Sequence, residues 1–207
     1  GNGTWVNSYS LITVGSGSLA YTGLTDTSPS GNEAAVAANS TVGSSTSPFF
    51  TTGMFGTSTS TGVVYAAFLL KYTTLTSGAN YTFMGMLPTA GNGTNFVTAN
   101  DPCDLAEKAN TSASGFTLGI RTYGQSASYA STVLATNTVN LIVMKYSFAT
   151  KTASLYINPS VAGGEPANPD ASSTGSAAAA NLGQIYLRAA GNMAGGGGVA
   201  SPPYLVD

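Results

Sequence analysis

Histidine is absent from this 207-residue chain, and cysteine occurs once, as Cys103. That removes Ser-His-Asp and Cys-His catalysis, together with the commonest zinc and copper ligand. Without an imidazole to take its proton, Cys103 reads as a small loop thiol, and a lone cysteine forms no intramolecular disulfide. The remaining candidates are the eight acidic residues. Glycoside hydrolysis needs two carboxyl groups about 5–9.5 Å apart across the scissile bond. Asp26, Glu33, Asp101, Asp104, Glu107, Glu165 and Asp170 all read as lying in or beside loops, and no expected strand carries two of them. The chain is therefore expected to catalyse nothing and to need no redox cofactor.

Asp101, Asp104 and Glu107 form the tightest acidic group. Calcium takes six to eight oxygen ligands, and these three acids would supply about half a shell, with carbonyls and Asn100 adding more. The same spacing describes a capped helical turn over Asp101–Ala109. There Asp101 is the cap, Pro102 the first helical residue and Asp104 a capping-box-like acid. Sugar binding needs an aromatic platform beside amides and carboxylates. Trp5, Tyr9, Tyr123, Tyr129 and Tyr204 are candidate platforms and Asn95 and Asn100 candidate partners. Strand propensity and core packing also explain most of eleven tyrosines. Asn-x-Ser/Thr triplets begin at Asn2, Asn39, Asn80, Asn92 and Asn110; of these, Asn39, Asn92 and Asn110 are the expected loop sites if glycosylation occurs. Such triplets also arise by chance in a threonine-rich chain.

These residues sit in an unusual background. Hydrophobic residues make up 43% but charged residues only 7%, with a net charge of −2, against about 25% charged in an ordinary globular chain. The polar surface must therefore be Ser, Thr, Asn and Gly, a composition that suits an extracellular or cell-surface protein. Its six basic residues are spread singly, so no clustered footprint for nucleic acid exists. No apolar run approaches the roughly 20 residues that span a bilayer, and membrane insertion is not expected. Weak self-repulsion permits close association with copies of itself or with other surface proteins.

The elements that must position these groups are short β-rich runs between Gly/Ser/Thr/Asn segments. Strands are expected at Ser18–Tyr21, Ala34–Ala38, Gly62–Tyr72, Asn80–Met86, Gly115–Tyr123, Thr138–Phe148, Thr152–Ile157, Leu182–Arg188 and Tyr204–Val206. The clearest unit is a hairpin. Ile142, Met144, Tyr146 and Phe148 share an apolar face, Ala149–Lys151 turns, and Ala153, Leu155 and Ile157 return on one face with Ser154 and Tyr156 on the other. Asn158-Pro159 ends it. Gly62–Tyr72 is apolar on both faces and reads as a central strand covered on both sides. A single helical turn at most is expected at Ala177–Ala180. Long loops are expected at Ser40–Thr61, Gly91–Ser114, Val161–Gly175 and Ala190–Pro203, and no tandem repeat is visible. Many short strands with glycine-rich turns argue for a sandwich or barrel.

The order VNLIVMKYSFATKTASLYINPS, GGEP, LGQIYLR resembles the second half of concanavalin A-like, laminin-G-like jelly-roll domains. These belong to exported bacterial surface proteins of Verrucomicrobia, Planctomycetes and Bacteroidetes types. SGSLAYTGL, SGNEAAVA, VVYAAFLLKYTTL and FTLGIR resemble the family's opening and middle strands, so the resemblance spans nearly the whole chain. It implies an all-β, two-sheet antiparallel jelly roll forming one domain over residues 1–207. It also implies calcium at the sandwich rim in some members, and acids alternating along one strand, as E-x-D-x-x-E, in laminarinase-like ones. Relatives continue past YLVD into another strand, so the chain is expected either to be a piece of a longer exported protein, the favoured reading, or to leave an edge strand unpaired as a template for a neighbour's strand. The leading functional expectation is a non-catalytic module of cell-surface structure, adhesion or self-assembly. A lectin-like module binding polysaccharide is the alternative, and a glycoside hydrolase comes third.

Overall fold

The computed structural model describes residues 6–7, 12–24, 33–38, 49–53, 58–75, 80–88, 101–110, 115–188 and 202–207. Among them the strands are β1 (Val6–Asn7), β2 (Ile12–Val14), β3 (Ala34–Val36), β4 (Phe49–Gly53), β5 (Val63–Tyr72), β6 (Asn80–Leu87), β7 (Cys103–Asn110) and β8 (Gly115–Arg121). They continue as β9 (Ser128–Tyr129), β10 (Leu134–Ala135), β11 (Asn140–Ser147), β12 (Thr152–Ile157), β13 (Ala171–Thr174), β14 (Gln184–Arg188) and β15 (Tyr204–Val206). One sheet runs β1-β4-β14-β6-β7-β8-β10, with β9 also on β8; the other runs β13-β12-β11-β5-β15-β3-β2. Every pairing is antiparallel. The protein is a two-sheet antiparallel jelly-roll sandwich.

The apolar faces close on each other. Val64, Ala66, Phe68, Leu70 and Tyr72 of β5 and Ile142, Met144 and Tyr146 of β11 meet Met84, Met86, Cys103, Leu105, Leu118 and Ile120 of the other sheet in one core. The alternation in sequence is the pleat itself, because successive side chains point to opposite faces. Tyr72, Phe83, Phe116 and Tyr204 pack ring against ring at centroid separations of 4.7–5.7 Å, within the range where tilted pairs add to burial. The Tyr204 hydroxyl donates to the Arg188 carbonyl at 2.8 Å and accepts the Arg188 N–H at 3.2 Å, which satisfies its polar end inside the core.

The β11–β12 hairpin forms in the expected register, from Ile142 opposite Ile157 to Ser147 opposite Thr152. Lys151 takes a left-handed φ of 57° to close its turn. Several expectations are corrected. Ser18–Tyr21 is irregular, and the strand before it is β2, Ile12–Val14; Ser18 and the Leu19 N–H are taken up by the Asp207 carboxylate at 2.6 and 2.7 Å. Ala177–Ala180 bends without a helical turn. Three of the long loops contain strands: β4, β7 and β13. The Asp101–Ala109 helix is absent, and Cys103–Asn110 is a strand between β6 and β8. Two open ladders outweigh capping signals that a helix there would use, since helix propensity is a weak prior.

Candidate functional site

Two groupings of polar side chains stand out, one on the outer face of each sheet. On the eight-stranded sheet, Tyr186, Gly85, Asp104 and Arg121 lie in one row across β14, β6, β7 and β8. Arg121 pairs with Asp104 at 2.5 Å, and the Tyr186 hydroxyl donates to the same carboxylate at 2.8 Å. Gly85 makes the row possible, because a Cβ there would lie 2.5 Å from both Asp104 Oδ1 and the Tyr186 ring. All of these groups are buried. Burial raises the Asp104 pKa, and the Arg121 guanidinium beside it pulls the other way. Asp101 and Arg188 lie within electrostatic reach of the pair, both also buried.

The remaining acids of this segment are handled differently. Glu107 is fully buried, and neither of its carboxylate oxygens has a hydrogen-bond partner. Desolvation pushes its pKa up to about 8. Asp101 leaves Oδ2 unpartnered, and desolvation, reinforced by the Asp104 charge, pushes it up to about 9. Buried carboxyls without partners are held neutral, since an unpaired charge in a low-dielectric interior is very costly.

The expected calcium triplet therefore does not converge. Asp104 pairs in register with Arg121 and Glu107 with the core residue Leu118, so the two acids face opposite sides of β7. Among the described residues no group of three His, Cys, Asp or Glu side chains is placed to hold a metal. The expectation that no strand carries two acids is also corrected, because β7 carries both Asp104 and Glu107. Their opposed directions keep them from flanking one glycosidic bond.

On the seven-stranded sheet the outer face of β5, β11 and β12 opens into a hollow of about 430 Å³. Its floor is Ala67, Leu141 and Val143, and its walls include the rings of Tyr65 and Tyr156. The far wall is the segment 159–166, launched where Asn158 adopts a left-handed φ of 51°, a conformation asparagine tolerates better than most residues. Asn158 is itself anchored, accepting the Leu141 N–H at 2.9 Å and donating its own N–H to the Leu141 carbonyl at 2.7 Å. The segment returns at Asp170, whose carboxylate accepts the Ile157 N–H at 2.8 Å.

Glu165 ties this strap to the sheet. Its carboxylate accepts hydrogen bonds from the Tyr65 hydroxyl at 2.5 Å, the Lys145 ammonium at 2.5 Å and the Tyr156 hydroxyl. The donors come from three adjacent strands, with Lys145 directly opposite Tyr65. These donors, Lys145 first, hold the Glu165 pKa down at about 2, while burial and the carboxylate push the Tyr156 hydroxyl up to about 12. Lys145 also lies 5.6 Å from the Tyr65 ring centroid, within cation–π range.

Among the described residues, the expected sugar platforms Tyr123, Tyr129 and Tyr204 do not meet here. Tyr123 packs against the core, Tyr204 is wholly buried, and Tyr129 lies on Gly119 with Lys108 5.6 Å from its ring. Trp5, Tyr9, Asn95, Asn100, Asn39 and Asn92 lie outside the described residues. Asn110 ends β7 and is half-buried. Sequence reasoning weighs Glu165 only as one acid among eight and misses its partners; the cluster is the four residues Tyr65, Lys145, Tyr156 and Glu165. Three of them stand in the KYSF, SLYINP and GGEP motifs on which the family resemblance rests, so the signal was present as motif and not as chemistry.

No family model matches the chain, and no curated protein matches it. Solved structures similar to it include a sialidase at 9% identity and a TM-score of 0.49, where the match covers 84% of this chain but only 14% of the sialidase. An endo-β-1,4-glucuronan lyase from the fungus Trichoderma reesei matches at 9% identity and a TM-score of 0.49, covering 100% of this chain and 85% of that one. The catalytic domain of a GH131 β-glucanase from Podospora anserina matches at 13% identity and a TM-score of 0.45, covering 85% and 70%. Likeness at these identities concerns the fold alone.

Proposed function

We propose that the chain is a non-catalytic, extracellular module that works by binding, in cell-surface structure, adhesion or self-assembly. One observation carries this reading. The exposed large apolar residues among those described are six, and four gather at one place: Leu24 at 43%, Val63 at 46%, Tyr65 at 48% and Val161 at 45%. Leu24, Tyr65 and Val161 line the hollow, and Val63 stands two residues before Tyr65 on the same face of β5. Scattered surface apolar residues need no explanation, whereas a cluster around a concavity marks a contact site. The chain's low charge leaves little repulsion to oppose such contact. Against a hydrolytic role, the β7 acids face apart and Asp104 is committed to Arg121 and Tyr186.

The test is the mass and shape of the protein in solution, by light scattering and negative-stain imaging. Rods, sheets or large oligomers that dissociate in a Val63→Lys/Tyr65→Lys variant are expected. A parent that stays monomeric at every concentration would remove self-assembly and favour the lectin-like alternative, for which the half-exposed Tyr65 ring beside the Glu165 carboxylate speaks. A glycan array would then decide.

A further inference from the structure

We infer that the hollow over β5, β11 and β12 receives apolar side chains of a partner polypeptide lying extended along these strands, and not a sugar. The inference deepens the binding reading above and rests on it. Three features define the guest. The first is size: about 430 Å³ lies within the range of sites that enclose a small ligand or a few side chains. The second is lining: Leu24, Ala67, Leu141, Val143, Val161 and Pro166 offer no hydrogen bond from their side chains. A pyranose buried here would leave hydroxyls unpaired, and each such loss costs more than the contact gains.

The third feature is charge. The carboxylate, ammonium and phenol groups at the rim are already engaged with one another, since Glu165 takes two tyrosyl hydroxyls and the Lys145 ammonium, and the other polar side chain lining the hollow is the uncharged Ser160. The hollow is thereby neutral, complementary to an uncharged guest, and an ionic ligand would have to break that cluster. Extended geometry follows from the strand itself. Val63, Tyr65 and Ala67 present an apolar outward row at intervals of about 7 Å, the spacing at which another strand presents alternate side chains. β5 is apolar on both faces, the pattern of a strand covered on both sides, yet Val63, Tyr65 and Ala67 are exposed. A partner supplies the missing cover.

The experiment uses the full chain and three probes: a capped hexapeptide alternating leucine and threonine, cellohexaose, and the neutral fluorophore N-phenyl-1-naphthylamine. Ala67→Trp fills the floor from an exposed position, and Leu24→Asp places a charge on the wall should the first variant fold poorly. Binding of the leucine peptide, weakened about tenfold or more in either folded variant, with no binding of cellohexaose, is expected. Peptide binding unchanged in both variants overturns the inference, as does a hollow that takes cellohexaose, or takes the fluorophore but not the peptide. Light scattering run in parallel separates the two claims. A monomeric parent that still binds the peptide loses self-assembly and keeps the site. An assembly indifferent to both variants keeps self-assembly and loses the site.

Discussion

Asp104 and Arg121 stand directly opposite each other on β7 and β8, with their side chains paired at 2.5 Å on a face where both are buried. Tyr186 reaches the same carboxylate across Gly85. Buried pairs of this kind add little net stability, yet removing one partner strands a charge and costs about 3–5 kcal/mol. Arg121→Met is therefore expected to lower the denaturant midpoint sharply with an unchanged slope. The double variant Arg121→Met/Asp104→Leu should recover much of that loss. Urea titrations of parent, single and double variants measure the difference, and a double variant no better than the single would refute the account.

Gly85 is required by space and not by its backbone angle. An added methyl would meet Asp104 Oδ1 and the Tyr186 ring at 2.5 Å and the Cys103 carbonyl at 2.8 Å. Gly85→Ala should destabilise by about 1–3 kcal/mol, while Gly124→Ala serves as a contrast, since that site is open and its φ of 66° contributes strain alone. If Gly85→Ala leaves the melting temperature where it was, the row is looser than these distances imply.

How far the sequence alone reaches can be read from particular strands. The β11–β12 hairpin was legible because Ile142, Met144 and Tyr146 alternate with Leu141, Val143 and Lys145 at the period of a pleat. β7 was not, because Asp101-Pro102 imitates a helix start and Leu105, Ala106, Glu107 and Lys108 favour helix locally, while β6 and β8 decide the outcome from a distance. β13 escaped because its inward residues are Ala171 and Ser173, too small and polar to register as a core face. The Glu165 cluster depends on Lys145 standing opposite Tyr65 across two strands 80 residues apart in sequence, a register that residue types do not encode.

Glu107 and Asp101 make stability depend on pH. Both are buried with unpartnered oxygens, and burial raises them from ordinary values near 4.5 and 3.8 to about 8 and 9. The folded state thus holds protons that the unfolded chain has released. Their contribution is fully present below about pH 4 and is lost as pH rises through about 8–9. Glu107→Gln keeps the shape and cannot ionise. It should match the parent in acid and exceed it at pH 9.5, by several degrees in Tm for a chain of this size. Parallel melting curves for the two proteins across this range would contradict the assignment.

Glu165 works in the opposite direction. Three donors lower its pKa from 4.5 to about 2, so its hold on the strap is present above the unfolded value and is lost as pH falls through about 2. The carboxylate is exposed, so its effect should be local and screened by salt, with little change in global stability. Glu165→Gln leaves an oxygen that accepts from one tyrosyl hydroxyl but removes the charge that holds Lys145. Amide exchange over residues 160–166 should accelerate in this variant while the β11 and β12 amides keep their protection, because Asn158 and Asp170 anchor the two ends independently. Hydrogen exchange with mass detection resolves the two regions. If the strap amides exchange at the parent rate, Glu165 only decorates a segment held by its ends. If the strand amides accelerate as well, the clamp belongs to the core, and the hollow's wall is not separable from it.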